Sequence, residues 1–226
     1  MLKLLIGNKN YSSWSMRSWV LMRELGIGFE EQVVRFDGFG PESSFKSELR
    51  RVGGAGKVPL LVDQDLLIWD TMAIAEYLHE SCPGVWPADA RARARARSLC
   101  AEMHSGFEAL RSRCPMNVEA SLPEVGRAIW RDEPAVRADV ARIEELWNDA
   151  LAGHGGPMLF GAFSNADACF APVCTRLRTY ALPLGAEAAA YVQRVLALAS
   201  VREWTAQALA EHDFRPFEEP YRSAPA

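Results

Sequence analysis

No apolar run in the chain approaches the length of a membrane span, and the first one, Leu2 to Ile6, is too short for a signal-peptide core, so a cytoplasmic protein with no membrane partner is expected. Cysteine is sparse and unpatterned. Cys82, Cys100, Cys114, Cys169 and Cys174 are an odd number with no CxxC pair, which argues against a disulfide framework or structural zinc and for reduced thiols without a bound metal. Charge of either sign is nearly balanced. A formal net charge of -4 gives no electrostatic reason to expect nucleic acid or an anionic membrane as partner. What is present is ordinary globular material: 226 residues, 49% hydrophobic and 24% charged, enough for one large core or two moderate ones.

The first eighty residues alternate strand and helix signals. "LKLLIG" reads as a buried strand, followed by a helix from about Ser13 to Leu25 that Gly26 can end in a left-handed conformation. "FEEQVVRF" reads as a second strand and "ESSFKSELRRV" as a polar helix. "VPLLVD" and "LLIW" flank the turn "DQD" as a hairpin, and "TMAIAEYLHE" is a helix after Asp70. The order is βαβ-α-ββα, with an early parallel pair and a later antiparallel hairpin. Pro83, Gly84 and Pro87 punctuate a linker over 81–87, so the organisation expected is an α/β domain over 1–80 and an all-α domain over 88–226.

Past the linker the signals are helical. "ADARARARARSLCAEMHSGFEALRSR" alternates Ala and Arg at first, but both are good helix formers, so one long helix is expected, its arginines solvated or at a dimer contact. Val136, Val140, Ile143, Trp147 and Leu151 form one apolar stripe that Pro134 should bend or divide. Ser164 and Asp167 have capping-box spacing and are assigned to folding. "AEAAAYVQRVLALA" and "VREWTAQALAEH" complete the helices.

The stretch "NYSSWSMRSW" puts hydroxyls at Ser12, Ser13 and Ser15 where the first strand gives way to a helix. A serine there can cap free first-turn N–H groups, or it can stand beside them and the helix dipole to stabilise an anion. Local residues leave both readings open.

The serine turn "YSSWSMR", the "GKVPLL" segment and "WDTMAIAEYL", in this order on a thioredoxin-like domain followed by helices, resemble the cytosolic glutathione S-transferases over almost the whole chain. The resemblance implies a homodimer that takes glutathione as co-substrate and adds its thiolate to a small electrophile in detoxification. It implies a cis Val58-Pro59 bond whose backbone pairs with the cysteine portion of glutathione, Asp70 and Thr71 at the γ-glutamyl end, and Lys57 near the tripeptide's carboxylates. Ser12, ahead of Arg17, matches the serine-type motif, with Ser13 sharing the bond or capping. The run also partly resembles the zeta class, associated with maleylacetoacetate isomerase, although Trp14 stands where that pattern has Cys.

A serine hydroxyl is too weak an acid to ionise at neutral pH and so offers no base to take the proton; its use is to donate a hydrogen bond to an ionised sulfur. Lowering a thiol from about 8.5 by about two units needs about 2.7 kcal/mol, within reach of one charge-assisted bond and a helix end. On the electrophile side Met103, His104, Phe107 and Arg111 recur at helical spacing and are candidates for the cleft, His104 also as a proton carrier. Two further functions remain beside transfer: glutathione-dependent cis-trans isomerisation, and a non-catalytic glutathione-fold binding protein.

Overall fold

The computed structural model describes residues 1–224. Strand β1, Leu2–Ile6, sits at the centre of a four-stranded sheet because Leu4, Leu5 and Ile6 bury completely between layers. It pairs in parallel with β2, Phe29–Val33, in register Leu2 with Phe29, through the crossover helix α1, Ser13–Glu24. Helix α2, Ser44–Val52, leads to β3, Leu60–Asp63, which runs antiparallel to β1 and turns at Gln64 into β4, Leu66–Trp69. The sheet order is β2-β1-β3-β4, and α3, Thr71–His79, closes the unit. The thioredoxin-like arrangement is the expected one.

Helix α1 joins the two halves. Eight consecutive residues, Ser15 to Met22, are buried because the sheet covers one side while α8, Asn165–Thr179, and α10, Ala199–Ala210, cover others. Trp19 packs edge-on against Trp204 at 5.3 Å, and the Trp204 indole N–H donates to the Lys9 carbonyl. Such burial fixes where the first turn of α1 lies relative to the helical half.

After a 3-10 turn, Pro83–Val85, the remainder is helical, with α6 at Pro123–Asp132 and α9 at Ala186–Ala197. In the Ala-Arg run Ala92 and Ala96 turn inward while Arg97 grips Glu76 of α3 with two bonds of 2.8 and 2.6 Å. Two expectations are corrected. The long helix divides into α4, Ala90–Ser105, and α5, Glu108–Arg113, because Phe107 takes a left-handed conformation (φ 57°) and Asp139 caps Leu110 N. A side chain at Gly106 would lie 2.8 Å from the Glu102 carbonyl, so the break requires glycine. Pro134 does not bend its helix. It is the first residue of α7, Pro134–His154, a position whose missing N–H costs no helical bond. The Ser164–Asp167 capping box forms at the head of α8.

Candidate active site

A cavity of about 740 Å³ opens between the start of α1 and the helical half, lined by Tyr11, Ser12, Ser13 and Trp14 on one side and by Arg111 and Arg176 on the other. Lys46, Lys57 and Val58 border the first side from the sheet domain. The Val58-Pro59 peptide is cis, and Pro59 is buried at the start of β3.

Ser12 occupies the cap position of α1, yet its side chain bonds none of the helix's free N–H groups. Instead its Oγ, in a residue only 5% exposed, lies 2.7 Å from Ser15 Oγ, which accepts from the Gly7 N–H at 3.0 Å. Gly7 is required here: a side chain on it would come within 2.3 Å of the Phe36 ring and 3.1 Å of Ser12 Oγ. The first turn of α1 holds no acidic residue, so its positive end is unneutralised.

Tyr11 also lines the cavity, but its hydroxyl is committed elsewhere. It donates to Glu219 at 2.7 Å and accepts from the Arg215 N–H, and burial together with the Glu219 bond pushes its pKa up to about 12. The phenol is therefore neither ionised nor free to donate to a ligand, which leaves Ser12 and Ser13 as the hydroxyls at this end. Glu219 also accepts from Asn117 and Arg222, so the segment around Phe214 is tied across the site. Beside it, Glu218 lines the cavity with its carboxyl pushed up to about 7, first by burial and then by the charge of Glu219.

Of the candidate residues, Ser12, Ser13, Lys57, Val58 and Arg111 meet at this cavity. Asp70 and Thr71 do not line it. Asp70 caps α3 with φ 76°, accepting from Met72 N at 2.9 Å, and its other oxygen lies 3.2 Å from His104 Nε2. The His104 ring meets Trp14 edge-on at 5.0 Å, so Asp70 reaches the cavity rim only through these two side chains. Thr71 is buried. Met103 and Phe107 do not line the cavity either; both belong to the core, Met103 with no exposed surface. Arg176, Lys46 and Glu218 also line the cavity without a motif in the sequence to mark them, and Trp14 lines it where the zeta-class pattern has Cys. Arg176 alone leaves a readable trace, a charged residue inside the run "FAPVCTRL".

Residues 11–81 match the family described as glutathione S-transferase, N-terminal domain. A probable maleylacetoacetate isomerase of Caenorhabditis elegans is 34% identical over 106 residues, 44% of this chain and 48% of the relative, so the chain matches about half the length of that curated relative. A glutathione transferase homologue from Burkholderia, solved with bound glutathione, is 26% identical with a TM-score of 0.66, covering 92% of this chain and 98% of its own. A Tau class glutathione S-transferase from mango, Mangifera indica, shares the fold at 22% identity and TM-score 0.64, over 93% of this chain and 96% of its own. Residues 11–81 thus carry a glutathione S-transferase N-terminal domain, and the chain as a whole has the fold of the glutathione transferases, a thioredoxin-like domain followed by an all-helical one. The resemblance to maleylacetoacetate isomerase is distant.

Proposed function

We propose that the protein is a glutathione transferase that binds the tripeptide along Lys57, Val58 and Pro59 and ionises its thiol at Ser12. The observation that carries this reading is the uncapped hydroxyl of Ser12 at the head of α1, facing the same cavity as Val58. Ser12 Oγ donates to Ser15 Oγ, which also accepts from the Gly7 N–H, and a bound thiolate, the stronger acceptor, draws the Ser12 hydrogen to the sulfur. A bond to a charged acceptor contributes about 1.5–3 kcal/mol and the helix end about 0.3–2 kcal/mol, together enough to shift a thiol by about two units. Ser13 lies in the same turn and is the second donor. Asp70 and Thr71 take the γ-glutamyl end in this reading, which requires Asp70 to exchange His104 for the ligand's ammonium group.

Transfer joins the sulfur to an electrophilic carbon of a small second substrate, and the leaving group or added proton completes the reaction. The matched stretch of a probable maleylacetoacetate isomerase favours one alternative, reversible addition that rotates a double bond and returns free glutathione. The five free cysteines fit a reducing, cytoplasmic setting. Leu66 and Trp69, both half exposed on the edge strand β4, support a homodimer that would cover them. A mass-spectrometric product assay over small electrophiles decides: a thioether supports transfer, rearranged substrate with unchanged glutathione supports isomerisation, and neither product despite retention on immobilised glutathione supports a binding protein.

A further inference from the structure

The helical wall of the cavity carries more positive charge than the fold uses. Arg17 and Arg176 are 3% and 4% exposed, and neither meets a carboxylate among the described residues. The other buried charged side chains all have partners: Lys9 pairs with Glu31, Glu219 with Arg222, and Asp167 accepts from Leu159 N, Ser164 N and the Tyr191 hydroxyl. Burying an unpaired cation costs several kcal/mol, so two at one place call for an incoming counter-charge.

Their surroundings orient them without neutralising them. The Arg176 guanidinium donates Nε to the Cys114 carbonyl at 2.9 Å and Nη1 to Pro172 at 3.3 Å, while it lines the cavity. Arg111, half-buried on the same wall, reaches only the carbonyls of His104 and Gly106, both at 3.4 Å. Arg17 lies 4.2 Å and Arg111 4.9 Å from the Trp14 ring, and Nε and Nη1 of Arg17 have no hydrogen-bond partner among the described residues. The three repel one another: burial, then Arg17 and Arg111, lower Arg176 to about 9, and burial followed by Arg17 lowers Arg111. The buried Cys169 thiol is drawn down by its bond with Cys100 and, less, by Arg17. The acids on the cavity, Glu108 and Glu218, form no ion pair with any of the three.

We infer that Arg111 and Arg176, backed by Arg17, form an anion subsite for the second substrate, and that the electrophile carries a carboxylate. This rests on the glutathione reading only in calling the ligand a second substrate; the subsite itself rests on the arginines. Lys46 and Lys57, on the sheet side of the cavity, are left for the tripeptide's own carboxylate.

The test uses two unreactive probes of nearly equal shape, 3,5-dinitrobenzoate and 1,3-dinitrobenzene, titrated against tryptophan fluorescence with and without saturating S-methylglutathione. The carboxylated probe should bind at least about tenfold tighter, the value of one charge-assisted pair, and the advantage should shrink with added salt. Arg111→Gln should remove most of it, whereas Arg111→Lys and Arg176→Lys, which keep the charge, should keep a larger share. Equal affinities in the wild type overturn the proposal, as does an advantage that survives Arg111→Gln in protein with an intact thermal transition. Displacement of the benzoate by S-methylglutathione also overturns it, because the arginines would then hold the tripeptide itself. Failure of S-methylglutathione to bind contradicts the glutathione reading instead, while the two probes still decide the anion subsite.

Discussion

The two walls of the cavity are built on opposite plans. The sheet-domain wall offers short groups on rigid backbone: the Ser12 hydroxyl, the head of α1 and the backbone before Pro59. The helical wall offers full charges on long side chains that carbonyl groups hold in place. Fixed dipoles favour charge at one point and need no reorganisation, which suits a sulfur that must ionise in place. Paired guanidinium groups give strong, geometry-tolerant attraction, which suits selection among anionic ligands. In the proposed reading one wall serves activation and the other selection, with Ser12 at the head of α1 and Arg17 one turn further along it.

The sharpest break of this contrast is Ser12→Ala. Removing a bond worth about 1.5–3 kcal/mol should lower kcat/KM near neutral pH by roughly 10- to 100-fold, with the thiol pKa rising to match, while the preference for a carboxylated probe persists. Stopped-flow rates and thiolate absorbance read both. Next is Gly7→Ala, which pushes a methyl group into Phe36 and against Ser12. Overpacking of this kind costs about 1–3 kcal/mol in a denaturant titration and should depress turnover by displacing the hydroxyl.

Ser15→Ala keeps Ser12 but deletes the group that orients it, so a loss of about threefold to tenfold is expected, carried by kcat more than by KM. The smallest effect is on the helical wall. Glu218 is held at about 7, above its ordinary 4.5, so it gains a proton as pH falls through 7 and the wall becomes more positive. Binding of 3,5-dinitrobenzoate should strengthen roughly threefold between pH 8 and 6, and Glu218→Gln should flatten that slope. The same raised value means Glu218 opposes folding above about pH 7 and ceases to do so as pH drops toward 4.5.

What the sequence made legible divides along the same line. The strand-to-helix turn at Ser12, the Val58-Pro59 segment and the Ser164–Asp167 cap are local patterns, written in neighbouring residues, and each appears where the pattern puts it. The helical wall brings Arg111 and Arg176 together, with Arg17 of α1 stacked on Trp14 beside them, and only tertiary packing assembles the three, so periodicity points to Arg111 and misses its companions. Met103 and Phe107 show the converse error. Helical spacing put them on one face, but both side chains pack into the core, and α4 ends between them. Asp70 matched a pattern in sequence, yet its carboxylate lies beside His104, a contact the chain order does not reveal.

The central claim is that the head of α1 ionises bound glutathione. A pH titration of thiolate absorbance on the wild-type complex, beside Ser12→Ala, tests it directly. The account predicts a bound thiol about two units below the free value of about 8.5, returning most of the way in the variant. A bound thiol that titrates like free glutathione, or one unmoved by loss of the Ser12 hydroxyl, would contradict it.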